Sequence, residues 1–285
     1  MTGGSGFLGG RVIPQLVAAG HEVSALSRSS NAASRVRVLG ATAIPGDLDV
    51  PASLDDAFRS SGAEALVNLA SLGFGHAPAI LSAADAAGIR RGVFVSTTAI
   101  FTTLDARSKS IRTAAEEAIR ESLLAWTIIR PTMIYGSSGD RNLWRLLQLI
   151  RRSPVVPVPG GGRRLQQPVH VDDLAQAIVV ALERDTSVGR AYDVAGPDPL
   201  SLRHIIEQTA SASGRHVRLL PVPLGLAIHA VRAYERLARR PRLRAEQLER
   251  LAEDKSFDIT PARNDLSYTP RSFAIGIAEE AAALR

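Results

Sequence analysis

The sequence predicts an α/β fold: a doubly wound parallel sheet with a smaller C-terminal α/β lobe. Three observations carry that prediction. A glycine-rich segment, Thr2-Gly3-Gly4-Ser5-Gly6-Phe7-Leu8-Gly9, runs straight into a helical pattern. Short apolar runs then alternate with helical segments to about residue 130, as in a parallel sheet whose faces are covered by helices through right-handed crossovers. Beyond Pro131 the alternation breaks into shorter pieces punctuated by proline and glycine.

In chain order, Val12, Ile13, Leu16 and Val17 share one helical face after the glycines, and Gly20 closes that helix. Residues 22–26 read as a strand. Further strands are expected at 41–44, 65–69, 92–97 and 126–129, separated by helices over about 53–61, 77–87 and 108–122. In the second half, 140–152 reads as a helix and 155–158 and 168–171 as short strands, with Asp172 placed to cap a helix ending at Leu182. A strand at 192–195, a helix from Ser201, a strand at 217–220 and helices through a basic stretch complete the chain. The expected division is a nucleotide-binding domain over 1–130 and an interleaved lobe over 131–285. The strand at 192–195 is the piece able to return to the first sheet.

The glycine segment has a direct physical reading. Gly3 permits a tight turn, Gly6 lets the backbone approach a pyrophosphate, and Gly9 lets the following helix pack closely on the sheet. The free N–H groups at the helix start then face the phosphates. Such a loop connects a strand to its helix, yet only Met1 and Thr2 precede Gly3. The expectation is a start upstream, with the first strand truncated.

Composition excludes several classes. Without cysteine there is no disulfide, thiolate metal site or cysteine nucleophile, and no metal is expected. No apolar run reaches membrane-spanning length and no secretory signal pattern opens the chain, so a cytoplasmic protein is expected. The net charge of +6 concentrates in residues 232–250, which hold seven arginines against three glutamates. Without aromatic interleaving this reads as a solvated helix face, not a nucleic-acid patch.

Further motifs follow in order across nearly the whole chain: Gly46-Asp47-Leu48, Val67-Asn68-Leu69-Ala70, Val95-Ser96-Thr97-Thr98, Arg130-Pro131-Thr132-Met133-Ile134-Tyr135-Gly136 and His170-Val171-Asp172-Asp173-Leu174. With the glycine loop, they make the sequence resemble an extended or atypical short-chain dehydrogenase/reductase, the group that includes nucleotide-sugar epimerases and dehydratases. The resemblance implies a Rossmann sheet. It implies that Asp47 bonds the adenine amino group with Leu48 packed nearby, and that Asn68, Leu69 and Ala70 line the cofactor. Ser5, Phe7, Leu8 and Pro131 join the cofactor contacts on the same ground. The second strand ends Ala25-Leu26-Ser27-Arg28, so Ser27 holds the place of the acid that bonds a ribose 2′-hydroxyl. Arg28 follows, with Arg35 and Arg37 beyond, which favours NADP over NAD.

The family's catalytic pair is a tyrosine with a lysine four residues later, one helical turn on. None of Tyr135, Tyr192, Tyr234 and Tyr268 stands four before a lysine. The tyrosine place falls at Ser108 and the lysine place at Arg112, with Lys109 out of register. A serine hydroxyl is too weak an acid to replace a phenol near neutral pH, while Arg112 can still bond the nicotinamide ribose. Thr97 retains the strand-end hydroxyl that positions a substrate oxygen. Tyr135 is the candidate proton donor, its other reading being packing under the C-terminal lobe. His76 is an outside candidate for substrate binding, and His170 and Asp172 read as structural. Gln166 stands where sugar-nucleotide enzymes of the group use an arginine, but Arg163 and Arg164 lie just upstream and suit an anionic substrate.

Three functions follow. The first is an NADP-dependent oxidoreductase or nucleotide-sugar epimerase-like enzyme with a non-standard proton donor, acting on a small molecule. The second is a non-catalytic dinucleotide-binding structural or regulatory protein. The third is a peripheral membrane-associated subunit, because residues 224–237 are apolar along one face and lead into Arg239-Arg240-Pro241-Arg242. Docking of that helix on the protein core is the favoured reading, with no membrane contact.

Overall fold

Residues 1–104, 107–140, 142–238 and 244–283 are described by a computed structural model. The chain divides into two units. One comprises residues 1–131, 171–194 and 258–269, the other residues 132–170, 195–257 and 270–285. The two units are thus interleaved, with residues 171–194 and 258–269 grouped with the first.

In the first unit, strands β1 (Ser24–Ser27) and β2 (Thr42–Pro45) pair in parallel, and β3 (Ala65–Asn68), β4 (Arg91–Val95), β5 (Ala125–Pro131) and β10 (Arg190–Val194) form a parallel sheet in the order β3-β4-β5-β10. Met1 and Thr2 link the two groups. Leu26 N–H donates to the Met1 carbonyl, while Thr2 exchanges backbone hydrogen bonds with Val67 and Leu69. Strand neighbours thus run β2, β1, residues 1–2, β3, β4, β5, β10, the Rossmann arrangement. β4 and β5 are buried over most of their length, as parallel strands covered on both faces must be.

Helices α3 (Pro51–Ser61), α4 (Ala77–Ala86) and α5 (Arg107–Glu121) cover one face, burying Leu54, Phe58, Ile80 and Ile119 against Phe94 and Ile128. Helices α1 (Gly9–Ala18) and α7 (Val171–Glu183) pack on each other, and α7 lies against β4 and β5. Helix α2 (Ser30–Val38) packs on β1 and β2. α7 begins at Val171, so Asp172 lies in its first turn and is not its cap. Instead Asp172 pairs with Arg11 at 3.2 Å, and its carbonyl accepts from Gln15 of α1. Arg91 crosses the sheet internally, donating to Thr127 and Ser187 hydroxyls at 2.8 Å and to the Ala125 and Ala181 carbonyls.

The second unit has three small sheets. β6 (Ile134–Tyr135) pairs with β9 (Val169–His170), β7 (Val155–Pro159) with β12 (Arg218–Val222), and β8 (Leu165–Gln166) with β11 (Leu200–Ser201). Helices α6 (Leu143–Arg152), α8 (Leu202–Ala212) and α12 (Phe273–Ala282) enclose Tyr135, Leu147, Ile205 and Ile277. α6 starts later than residue 140 because Asp140 stands outside it and accepts from the Asn142, Leu143 and Trp144 amides. Helix α9 (Leu224–Leu237) packs against α10 (Ala245–Arg250) but buries none of its own residues, which corrects the expectation that it docks on the core. Residues 239–242 lie outside the described residues.

Candidate functional site

The glycine loop is built by close backbone approach. Gly3 has φ of 71°, and a Cβ there would sit 2.8 Å from the Ala70 nitrogen. A side chain would both strain the turn and push the loop off the end of β3. Gly9 opens α1 against Gly4, where a Cβ would come within 2.2 Å of the Gly4 carbonyl oxygen. The loop therefore lies against the ends of the strands, in front of a helix N-terminus.

In front of it is a groove of about 610 Å³. Its floor is Gly3, Ser5 and Gly6. One wall is Leu69, Ala70 and Ser71, and the opposite rim carries Leu26, Arg28 and residues 46–49. Arg28 is exposed there, while Ser27 is buried with its hydroxyl donating to the Ala25 carbonyl. No carboxylate stands at the end of β1. Asp47 is held by its own turn: its N–H donates to Ser53 Oγ at 2.9 Å, and its carboxylate accepts from Asp49 N–H at 3.1 Å. A backbone cradle closed by an exposed guanidinium suits a dinucleotide whose phosphates meet N–H groups.

Several expected contacts fall elsewhere. Asn68 is buried, its side chain joining Thr2 Oγ1 to the Ala70 carbonyl, so it shapes the wall from behind. Phe7, Leu8 and Gly9 belong to the loop's packing and helix start and do not line the groove. Ser27 and Pro131 are buried, and the Pro131 carbonyl accepts from Thr98 Oγ1 at 3.3 Å. His76 lines this same groove beside Phe74. Its Nε2 meets Asp49 at 2.8 Å, and its buried Nδ1 has no hydrogen-bond partner among the described residues. Leu26, Asp49, Ser71 and Phe74 were not anticipated; they flank the recognised motif residues by one to four positions, and no residue type marks them.

Thr97 follows β4 in extended conformation and caps a short 3-10 turn, its Oγ1 accepting from Ala99 N–H at 3.2 Å. That bond uses a lone pair and leaves the hydroxyl proton free to be donated. On α5, Arg112 Nη1 donates to Ser108 Oγ at 3.0 Å, and its guanidinium lies over Gly73, where a Cβ would be 3.0 Å from Nε. The tyrosine and lysine places are thus a serine–arginine pair. Lys109 is engaged elsewhere, donating to the Thr102 carbonyl at 2.6 Å.

Tyr135 is buried in the packing of the second unit. It is 1% exposed, edge-on to His170 and tilted on Phe273, with its hydroxyl where a Gly276 side chain would otherwise be. Arg164 is likewise committed, to Asp254 at 2.8 Å, while Arg163 is exposed. Gln166 is buried and bonds the Glu253 carbonyl.

One ion cluster had a signal that the sequence reading missed. Glu116, 2% exposed, sits on the apolar stripe of α5 between Ala115 and Ile119. Arg130 donates to it at 2.6 and 3.0 Å, Arg120 at 3.1 Å, and Asp193 stands 3.7 Å from Arg130. Burial alone pushes Glu116 upward, but the hydrogen bonds from Arg130 and the charges of Arg130 and Arg120 hold it below the usual carboxylate range. Phe101 lies 5.2 Å from the Arg130 guanidinium carbon, stacked on the cation.

Residues 3–185 match the NAD(P)H-binding family. The chain is 31% identical over 257 residues to NADH dehydrogenase [ubiquinone] 1 alpha subcomplex subunit 9, mitochondrial, of Arabidopsis thaliana, covering 81% of this chain and 62% of that protein. It is 28% identical to the 4-hydroxy-2-methyl-3-oxo-4-farnesyl-3,4-dihydroquinoline-1-oxide ketoreductase of Stigmatella aurantiaca, over 95% and 91% of the two chains. It is 33% identical to the ceramide reductase of Caulobacter vibrioides, over 78% and 73%. Among solved structures, UDP-glucose 4-epimerase from Thermotoga maritima shares the fold with a TM-score of 0.76 at 16% identity, covering 100% of this chain and 97% of that one.

Proposed function

The chain belongs to the NAD(P)H-binding family of atypical short-chain dehydrogenases/reductases, and from that premise we propose that it is an NADPH-dependent reductase of a ketone carried on a lipid-like tail. The observation that carries the cofactor choice is the exposed Arg28 on the groove rim, with no acid at the end of β1. A guanidinium there attracts a 2′-phosphate, and although Asp47 and Asp49 share the rim, no carboxylate takes the place at the end of β1 that bonds a ribose 2′-hydroxyl. The substrate class rests on the relatives: a farnesylated quinoline-oxide ketoreductase and a ceramide reductase both act on polar carbonyl heads with long apolar chains. Arg164's engagement with Asp254 weighs against a nucleotide sugar.

When bound, the reduced dinucleotide supplies the hydride. The chain's own contribution is positional. Thr97 donates its remaining proton toward the carbonyl oxygen and fixes its orientation. Arg112, anchored through Ser108, offers positive charge in place of a tuned lysine. Neither Ser108 nor Arg112 is an acid suited to neutral pH, so the proton that neutralises the product oxygen comes from water.

The test is fluorescence titration with NADPH and NADH, followed by turnover on long-chain 3-oxo acids and amides. Thr97→Ala is expected to lower turnover about 10- to 100-fold with dinucleotide affinity unchanged. Tight NADPH binding with no turnover on any such ketone would overturn the reductase reading. A second reading is favoured by the Ser108–Arg112 pair itself: a dinucleotide held without turnover. Ser108→Tyr with Arg112→Lys separates the two, since a gain of turnover in the double variant alone marks the natural chain as a binder.

A further inference from the structure

Helix α9 is unusual in leaving every one of its 14 residues at least partly exposed. At about 100° per residue, its residues fall into three sectors. Leu224, Ala227, Ile228 and Val231 form a half-buried inner sector, and α10 packs against the helix. Leu226, Ala230, Ala233, Tyr234 and Leu237 form a continuous exposed apolar stripe, with Leu226 63% and Leu237 87% exposed. His229, Arg232 and Arg236 line one border of that stripe, also exposed, with Arg232 paired to Glu249 of α10 at 2.7 Å and Arg236 in no ion pair among the described residues. The strand leading into the helix leaves Leu220 half-exposed as well.

We propose that α9 seats this protein on the surface of an anionic lipid bilayer, the stripe entering the acyl boundary and the arginine border meeting the lipid headgroups. The commitment to a bilayer rests on charge. The border is basic, the sequence over 232–250 carries seven arginines against three glutamates, and the whole chain is at +6. A leucine–tyrosine stripe beside cationic side chains matches an interface that is apolar beneath and negative above. A second copy of this chain would bring the same arginines toward one another. No helix among the described residues is long and apolar enough to cross a membrane, so the contact is peripheral.

The proposal stands apart from the reading of activity. Its experiment is flotation of the full chain with vesicles of phosphatidylcholine alone and of phosphatidylcholine with about one-third phosphatidylglycerol. Wild type is expected to float with the anionic vesicles, and added salt is expected to weaken it. Leu226→Glu with Leu237→Glu should reduce the bound fraction at least about tenfold, and Arg236→Glu about fivefold at low salt. Both leucines are exposed, so melting temperature and NADPH binding serve as controls for an intact fold. Equal flotation of wild type and the double variant overturns the proposal, as does absence of binding to anionic vesicles at low salt. A concentration-dependent dimer in light scattering that the double variant abolishes also overturns it, assigning the stripe to a second copy.

Discussion

Arg28 acts at the rim of a groove in which the other charged side chains, Asp47, Asp49 and a histidine paired to Asp49, offer no second fixed positive charge. Replacing it by aspartate exchanges attraction for repulsion at a 2′-phosphate. Arg28→Asp is expected to reverse preference toward NADH. The lost charge-assisted contact is about 1.5–3 kcal/mol, roughly ten- to a hundredfold in affinity. Equal wild-type affinity for the two dinucleotides would show that Arg28 does not select. Gly9 shows how tightly the backbone itself is set. With the Gly4 carbonyl 2.2 Å from any Cβ, Gly9→Ala must move the loop away from α1. We expect about 1–3 kcal/mol of destabilisation and weakened dinucleotide binding, read by thermal melting with and without NADPH.

At the scale of elements, α5 and β5 are joined by the buried Glu116–Arg130 pair. Glu116→Ala leaves Arg130 with Asp193 at 3.7 Å as a much poorer partner. Breaking a buried pair from one side costs about 3–5 kcal/mol, so a lowered denaturation midpoint by urea is expected. Helix α12 contributes the pH dependence. Glu280 is 1% exposed and accepts from Gly136 N–H at 3.1 Å, and its carboxyl is pushed up to about 8, first by burial and then by Asp140. Asp140 is raised too, by burial. The folded state therefore keeps a proton that the unfolded chain releases above the ordinary glutamate range. The contribution of Glu280 is full below about pH 4.5 and is lost as pH rises toward 8, by at most about 1.4 kcal/mol per pH unit for one proton. Glu280→Gln should flatten that slope between pH 5 and 8 in urea melts; an unchanged slope would assign it to other groups. Element positions were readable because strand alternation and helical spacing are local properties. The ends were less so: α7 starts one residue before Asp172 because its first turn is tied to α1 by Arg11 and Gln15, which no local pattern encodes.

For the whole molecule, the chain leaves the first unit after Pro131 and returns to it twice. β10 pairs with β5 along its whole length, and α7 lies against β4 and β5. A fragment of residues 1–131 would expose Val93, Ile129 and the open edge of β5. It is expected to aggregate, or to lack a cooperative thermal transition by circular dichroism. A soluble, cooperatively melting fragment would show that the later segments are dispensable.

What the sequence by itself determined is the family, the alternating sheet, the close-packed glycine loop and the absence of a tyrosine–lysine pair. These depend on residue type and short spacing, and on backbone conformations that glycine alone permits. Tertiary structure decided which side chains face the groove and which lie behind it. Asn68 turned inward to tie Thr2 to Ala70, His76 was drawn to Asp49, and Tyr135 was buried under α12 against Gly276. It also decided that α9, although packed on α10, leaves its Leu226–Leu237 stripe exposed. An amphipathic period states that one face prefers to leave water. Whether another surface arrives to cover it depends on segments far away in the chain, whose packing no local pattern specifies.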